Sequence, residues 1–82
     1  MSSVAILFKV YSQDNEPQVV MDNIKKDMNP AGMQVEDVAF GIKVIKVLFK
    51  FDDSQTSSSK IEEDLKKVQG VGEIEVMEEG LI

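Results

Sequence analysis

The chain has 82 residues, of which 43% are hydrophobic and 29% are charged, and these fractions are typical of one small globular domain. It contains neither Cys nor His, which excludes disulfides and most zinc or copper sites and removes the usual proton-transfer residue. Fifteen acidic against nine basic residues give a net charge of −6, which opposes binding to a nucleic-acid backbone. We therefore expect a single domain, residues 1–82, with no cofactor and no metal.

The hydropathy of the chain bears on its location. No stretch approaches the roughly 18 apolar residues that a membrane helix needs. The amino terminus has only a short apolar run and no basic region before it, unlike a secretory signal. We expect a soluble cytoplasmic protein with no membrane partner and no direct nucleic-acid partner, and a monomer when it is free.

The first strand and the first helix are predicted in the amino-terminal third. Val4 to Tyr11 alternates with both faces largely apolar at the start, which predicts an interior strand. A polar stretch, residues 12–16, offers possible helix caps, and Pro17 suits the first position of a helix. An apolar stripe at intervals of four follows, formed by Val20, Ile24 and Met28. The stretch Asn29-Pro30-Ala31-Gly32 ends this helix.

The middle of the chain predicts two strands joined by a tight reversal. Val38 to Phe51, VAFGIKVIKVLFKF, is the longest nearly unbroken apolar run and predicts a central strand. Before it, Met33 to Val38 is weaker, and Val35 and Val38 are out of phase, as expected for a bulged or irregular edge strand. Gly41 leaves room only for a tight reversal or a bend.

The last third predicts a helix and a short strand. Polar residues 52–59 precede a second helical stripe, formed by Ile61, Leu65 and Val68. Gly70 is predicted to be the left-handed residue at the end of this helix. Glu73 to Met77 alternates as a short edge strand with an acidic outer side, and residues 78–82 are predicted to form a tail.

The predicted order is β-α-β-β-α-β. Right-handed crossovers place the first and third strands, which are the most apolar, in the middle of an antiparallel sheet. The prediction is an α+β fold, a ferredoxin-like sandwich with a four-stranded antiparallel sheet and two helices on one face. The other face of the sheet is predicted to be open. It carries Lys9, Tyr11, Lys46 and Lys50.

Two features are candidates for function. The open face could bind nucleic acid, but Tyr11 is its only stacking residue and the chain has no Arg, so a solvated lysine face is favoured. Phe40, directly before Gly41 at the strand junction, could project towards a partner. From the residues alone, a buried Phe at a strand end is favoured.

A family resemblance changes the interpretation of Phe40. The stretch DVAFGIKVIKV, at the junction of the second and third strands, resembles the AFG-[IL]-K segment of the elongation factor 1-beta family. The ending GVGEIEV resembles the final strand of the archaeal members. The resemblance spans essentially the whole chain without extra amino-terminal domains, and this favours the short archaeal form.

The resemblance implies a guanine-nucleotide exchange factor. Members of this family bind elongation factor 1-alpha and promote exchange of GDP for GTP by disturbing its magnesium and phosphate site, without covalent chemistry. Eukaryotic relatives use a Lys one residue before the end, where this chain has Leu81. The implied partner-binding residues are Ala39, Phe40, Gly41, Ile42, Lys43, Leu81 and Ile82, with no catalytic residue.

A second function remains open. The same fold also hosts small regulatory or ligand-binding modules, which act through the open sheet face or as dimers. A metabolite that raises the melting temperature, with no effect of elongation factor 1-alpha, is the observation that separates this alternative from the exchange factor. An acylphosphatase-like enzyme is disfavoured because that chemistry needs an anion-binding Arg.

Overall fold

The computed structural model describes residues 3–12, 16–37 and 41–81. Six elements follow one another along these residues: β1 (Ser3–Ser12), α1 (Pro17–Met28), β2 (Gly32–Asp37), β3 (Lys43–Asp52), α2 (Ser58–Lys66) and β4 (Val71–Leu81). Neither helix in the described residues is long and apolar enough to cross a membrane. The predicted order β-α-β-β-α-β is confirmed.

The sheet has the strand order β2-β3-β1-β4, and every neighbouring pair is antiparallel. The two strands with the most apolar sequences, β1 and β3, therefore lie in the middle, as predicted. Since each of them is paired on both sides, they leave no free backbone edge. Together with two helices on one face, this arrangement confirms the ferredoxin-like α+β fold.

The hydrophobic core lies between the helices and one face of the sheet. In β1 and β3 the buried side chains recur at every second residue, and the helices contribute residues spaced by four. The cluster includes Ile6, Phe8, Val10, Val20, Ile24, Ile45, Val47, Phe49, Ile61 and Leu65. The rings of Phe8 and Phe49 meet edge to face with centroids 5.9 Å apart. This packing leaves the opposite face of the sheet without a covering layer among the described residues.

The two helices begin and end by different means. Helix α1 begins after Glu16, whose side chain makes no capping hydrogen bond, and Pro17 takes the first turn as predicted. It ends at Asn29, whose φ of 49° is left-handed and whose N–H donates to the carbonyl of Lys25. Helix α2 begins at a true side-chain cap, because the Ser57 hydroxyl accepts from the Lys60 N–H.

The prediction that Gly70 ends α2 is wrong. The helix ends at Lys66, and Lys67 is its C-cap in a right-handed conformation. Val68 lies beyond the helix but is still buried, and Gly70, with φ of 91°, forms part of the turn into β4. The positive φ was therefore predicted correctly, but it serves the turn and not the helix end.

Of the predictions about the edge strands, the tail is wrong, and the irregularity predicted for β2 is absent from the part of that strand that the structure describes. Strand β2 pairs with β3 from Gly32 to Asp37 without a register shift, so it has no bulge there. The irregularities lie instead in the pairing of β4 with β1, where the register shifts twice. Residues 78–81, predicted as a tail, continue β4 as far as Leu81. The predicted phase break at Val38 lies outside the described residues.

Candidate partner-binding site

The predicted partner-binding residues fall into two groups. Gly41, Ile42 and Lys43 lie where β3 begins, and Leu81 ends β4. Ala39, Phe40 and Ile82 lie outside the described residues. The structure therefore gives the position of four of the seven residues that the sequence singled out.

The first group forms what we call the loop end of the sheet. Gly41 has φ of 74°, and a Cβ built there would meet nothing within 4 Å, so the backbone conformation and not the space favours glycine. Ile42 is 53% exposed, and it is one of five large apolar side chains that are exposed among the described residues. Lys43 closes the β2–β3 pairing, because its Nζ lies 3.8 Å from an Asp37 carboxylate oxygen.

Leu81 lies at the other end of the sheet, which we call the terminal end. It pairs with Val4 at the start of β1, and its side chain is 75% exposed. An open cavity of about 380 Å³ adjoins it on the uncovered face. The cavity is lined by Ala5, Leu7, Leu48, Glu78, Glu79, Gly80 and Leu81. Leu81 is thus an exposed apolar residue fixed in a sheet, in place of the predicted free tail.

The two ends are far apart. Val44, at the start of β3, lies opposite Tyr11, whereas Leu81 lies opposite Val4 at the start of β1. These two positions are seven residues apart along β1, a distance of about 23 Å at about 3.3 Å per residue. One partner can contact both groups only if it reaches along the sheet.

The open face between the two ends carries charges in pairs. Lys9 and Lys46 lie directly opposite each other on β1 and β3. The Nζ of Lys46 lies 2.6 Å from a carboxylate oxygen of Glu36 on β2, and Glu75 on β4 lies opposite Lys9. The hydrogen bond and charge of Lys46 lower the pKa of Glu36 below its usual value of 4.5. Each edge strand thus places a carboxylate beside this lysine pair.

The aromatic residue of the open face is poorly placed for stacking. Tyr11 is partly buried, and Val44 opposite it is fully buried although it belongs to this uncovered face. A base-stacking platform needs aromatic faces that are free in solvent. This placement adds to the sequence-based argument against a nucleic-acid site.

Two acidic residues, Asp52 after β3 and Asp64 in α2, make local interactions. The Asp52 carboxylate accepts hydrogen bonds from the N–H and the hydroxyl of Ser54, at 3.0 and 2.8 Å, and these bonds lower its pKa. Asp64 pairs with Lys60 one turn earlier in α2, at 3.2 Å. Among residues 3–12, 16–37 and 41–81, no group of three or more acidic side chains could hold a metal ion.

Sequence reasoning missed the apolar corner at the terminal end. Leu7 and Leu48 lie opposite each other on the uncovered face, next to Glu78 on β4. The signal was present, because β1 and β3 carry leucines in the phase opposite to the core residues. These leucines form a corner only because residues 78–81 continue β4 beside them, and a tail at these positions would leave them without a neighbouring strand.

Sequence comparison determines the family. Residues 3–82 match the EF-1 guanine nucleotide exchange domain. The chain belongs to this family. It is 33% identical over 84 residues to elongation factor 1-beta of Aeropyrum pernix, across 93% of this chain and 92% of that protein. It is 30% identical over 83 residues to elongation factor 1-beta of Methanosphaerula palustris, across 95% of each chain.

Membership of the EF-1 guanine nucleotide exchange domain family confirms the resemblance that the AFGIK segment and the GVGEIEV ending indicated. A further archaeal relative, elongation factor 1-beta of Ignicoccus hospitalis, is 33% identical over 84 residues, across 93% of this chain and 88% of its own length. The family and these relatives support a nucleotide exchange role in translation elongation.

Proposed function

We propose that this chain binds the GTPase elongation factor 1-alpha and promotes exchange of GDP for GTP by destabilising its nucleotide and magnesium site. The observation that carries the proposal is the family match over residues 3–82, which includes the AFGIK segment. Binding alone performs this role, so no covalent step is assigned to any residue. The exchange takes place in the cytoplasm, where translation occurs.

The physical basis of exchange is linkage between two ligands. A protein that binds the nucleotide-free GTPase more tightly than the GDP-bound form lowers the affinity for GDP by the same factor. If the factor is about a hundredfold, the coupling free energy is about 2.7 kcal/mol. GTP then enters because it is the nucleotide in excess, and the exchange factor is released.

We assign the principal contact to residues 39–43 at the loop end. The exposed Ile42 supports this assignment, because a large apolar side chain in water gains free energy when a partner covers it. Gly41 sets the direction of the segment through its positive φ. Phe40, the aromatic residue of the segment, is assigned the anchoring role that aromatic residues often have in interfaces.

Leu81 and Ile82 form the second proposed contact. The eukaryotic members present a lysine at the position of Leu81, and a lysine acts on a magnesium site by charge. Leucine has no charge, so its contribution here is apolar contact area, and its exposed side chain is available for that contact. In this chain, destabilisation of the magnesium site is therefore assigned to the geometry of binding and not to a cation at residue 81.

The first test is the release of a fluorescent GDP analogue from archaeal elongation factor 1-alpha in excess unlabelled nucleotide. We expect this protein to accelerate release, with a rate that rises with its concentration and then saturates. If GDP release from a matched archaeal partner is not accelerated, the proposal is wrong. A ligand screen on the open sheet face would then test the regulatory alternative.

The second test concerns the loop end. We expect Phe40→Ala and Ile42→Ser each to slow GDP release about tenfold or more, as loss of a central interface residue does. Val76→Ser is the matched control, because Val76 is also a β-branched residue, 45% exposed, on β4. Circular dichroism and urea unfolding accompany each variant. A strongly unfolded Phe40→Ala would show that Phe40 is a core residue and that its assignment is wrong.

A further inference from the structure

Asp37 and Lys43 form the last pair of the β2–β3 ladder, at the loop end of the sheet. Asp37 ends β2, Lys43 begins β3, and the two residues lie directly opposite each other. The Lys43 Nζ lies 3.8 Å from a carboxylate oxygen of Asp37. The chain between them, residues 38–42, includes most of the segment to which we assign the principal contact. This ion pair therefore lies at the point where that segment leaves the sheet.

The side chain of Lys43 belongs to the helix-covered side of the sheet. It shares the phase of Ile45, which lies in the core, and Asp37 shares the phase of Val35, which packs against the core. Together with Glu16 and Val35, Lys43 lines an open cavity of about 530 Å³ between the start of α1 and the end of the β2–β3 ladder. A partner carboxylate that bound Lys43 would therefore compete with Asp37.

The ion pair bears on the position of Ile42, the exposed apolar residue that directly precedes Lys43. Strand pairing opens most readily at the end of a ladder, because the last pair has a neighbouring pair on one side only. Opposite charges directly across two strands favour the paired state. When the pair of Asp37 with Lys43 is closed, Ile42 is held at a fixed position relative to the sheet, and this position is lost when the pair opens.

We propose that Asp37 is a positioning residue, which holds Lys43 in the ladder and thereby fixes the direction in which Ile42 meets the partner GTPase. Within the contact assigned to residues 39–43, Lys43 thus acts on the segment, and its charge does not bind the GTPase. A segment that is already held in its binding conformation loses less conformational entropy on binding. This inference rests on the proposed function, because it takes the GTPase as the partner.

The first test uses Asp37→Asn, which removes the charge and keeps the size of the side chain. Both side chains of the ion pair are more than half exposed, so the fold is preserved, and circular dichroism checks this. The matched control is Asp27→Asn, which makes the same change in the last turn of α1. We expect Asp37→Asn to raise the concentration of exchange factor that gives half-maximal GDP release about twofold to fivefold, with the maximal rate unchanged.

Amide hydrogen exchange of the free protein tests the same inference without the partner. Exchange at residues 42–44 should be faster in Asp37→Asn than in the wild type, because the last pair of the ladder opens more often. The difference should diminish at high salt, which screens the ion pair of the wild type. Asp27→Asn should exchange at these residues like the wild type.

A charge swap separates a positioning role from a direct contact. Lys43→Asp places two carboxylates opposite each other and should raise the half-maximal concentration more than Asp37→Asn does. Lys43→Asp combined with Asp37→Lys restores an opposite-charge pair with the charges reversed. We expect this double variant to return to within about twofold of the wild type, because the position of Ile42 and not the sign of the charge at residue 43 determines binding.

Two outcomes would overturn the inference. If Asp37→Asn matches Asp27→Asn in hydrogen exchange or in half-maximal concentration, the ion pair does not position the contact. If the charge swap remains as impaired as Lys43→Asp alone, the charge of Lys43 binds the GTPase directly. Failure of the wild type to accelerate GDP release is a separate result, which contradicts the proposed function itself.

Discussion

The two edge strands of this sheet are held in different ways. Strand β2 has six residues, and Met33 and Val35 pack against the core with no register shift. Strand β4 has eleven residues, of which only Val71 is buried, and its pairing with β1 shifts twice. The hydrophobic core thus holds the shorter strand, β2, in its position. Most of the longer strand, β4, is held only by its pairing with β1.

This difference shows what sets strand register. A slip by one residue would move Met33 and Val35 from the core to the solvent, so burial holds β2 in place. Beyond Ile74, β4 has no side chain packed against the core, and an inserted residue costs little there. Past this bulge β4 places Glu78 opposite Leu7 at the apolar corner, so the less constrained edge forms one side of that corner.

The largest expected effect comes from placing a charge on each edge. We expect Val35→Asp to lower the free energy of unfolding by about 2 kcal/mol or more, because a carboxylate would replace a side chain that packs against the core. Val76→Asp on β4 should change it by about 0.5 kcal/mol or less, since Val76 is 45% exposed. Urea unfolding followed by circular dichroism measures both.

Val35→Ala provides the control for that comparison, because it removes packing without adding a charge. It should lie between the two aspartate variants in its effect on the free energy of unfolding. Equal losses for Val35→Asp and Val76→Asp would mean that β4 is held by side-chain burial as firmly as β2. The contrast between the two edges would then be wrong.

The sequence predicted the fold well where burial decides it. The alternation in β1 and β3 and the stripes in α1 and α2 gave the element order, the central strands and the covered face. The errors concern residues that the core does not hold. Glu78 to Leu81 alternates poorly and is exposed, so nothing in the pattern distinguishes a strand from a tail, and only pairing with β1 makes it one.

The candidate site was predictable only in part. The AFGIK segment was identified only by its resemblance to a known family. Ile42 is exposed and belongs to no apolar repeat, so the hydrophobic pattern of the chain does not assign this segment a function. The apolar corner depends on Leu7 and Leu48 meeting across two strands and on Glu78 arriving from a third. These residues meet only because of the register in which β4 pairs with β1. The sequence did not predict that register.

A smaller effect is expected on the open face at the β4 edge. Glu75→Lys would place a third positive charge beside Lys9 and Lys46, and we expect it to lower the free energy of unfolding by about 0.5 kcal/mol. Glu73→Lys makes the same charge change two residues away along β4 and is the control. The difference between the two variants should diminish in high salt. A larger loss for the control would show that Glu75 does not balance the lysine pair.

The smallest expected effect is at the β2 edge, and it depends on pH. Lys46 lowers the pKa of Glu36 in the folded state, so ionised Glu36 favours folding above its usual value of 4.5, and this contribution is lost as the pH falls through the lowered pKa. Glu36→Gln should therefore unfold at slightly lower urea than the wild type at pH 7. The two midpoints should converge in acid, where the wild-type carboxylate is also neutral. Glu63→Gln is the charge-matched control. If the midpoints of Glu36→Gln and the wild type differ in acid as much as at pH 7, the effect comes from side-chain packing and not from the ion pair with Lys46.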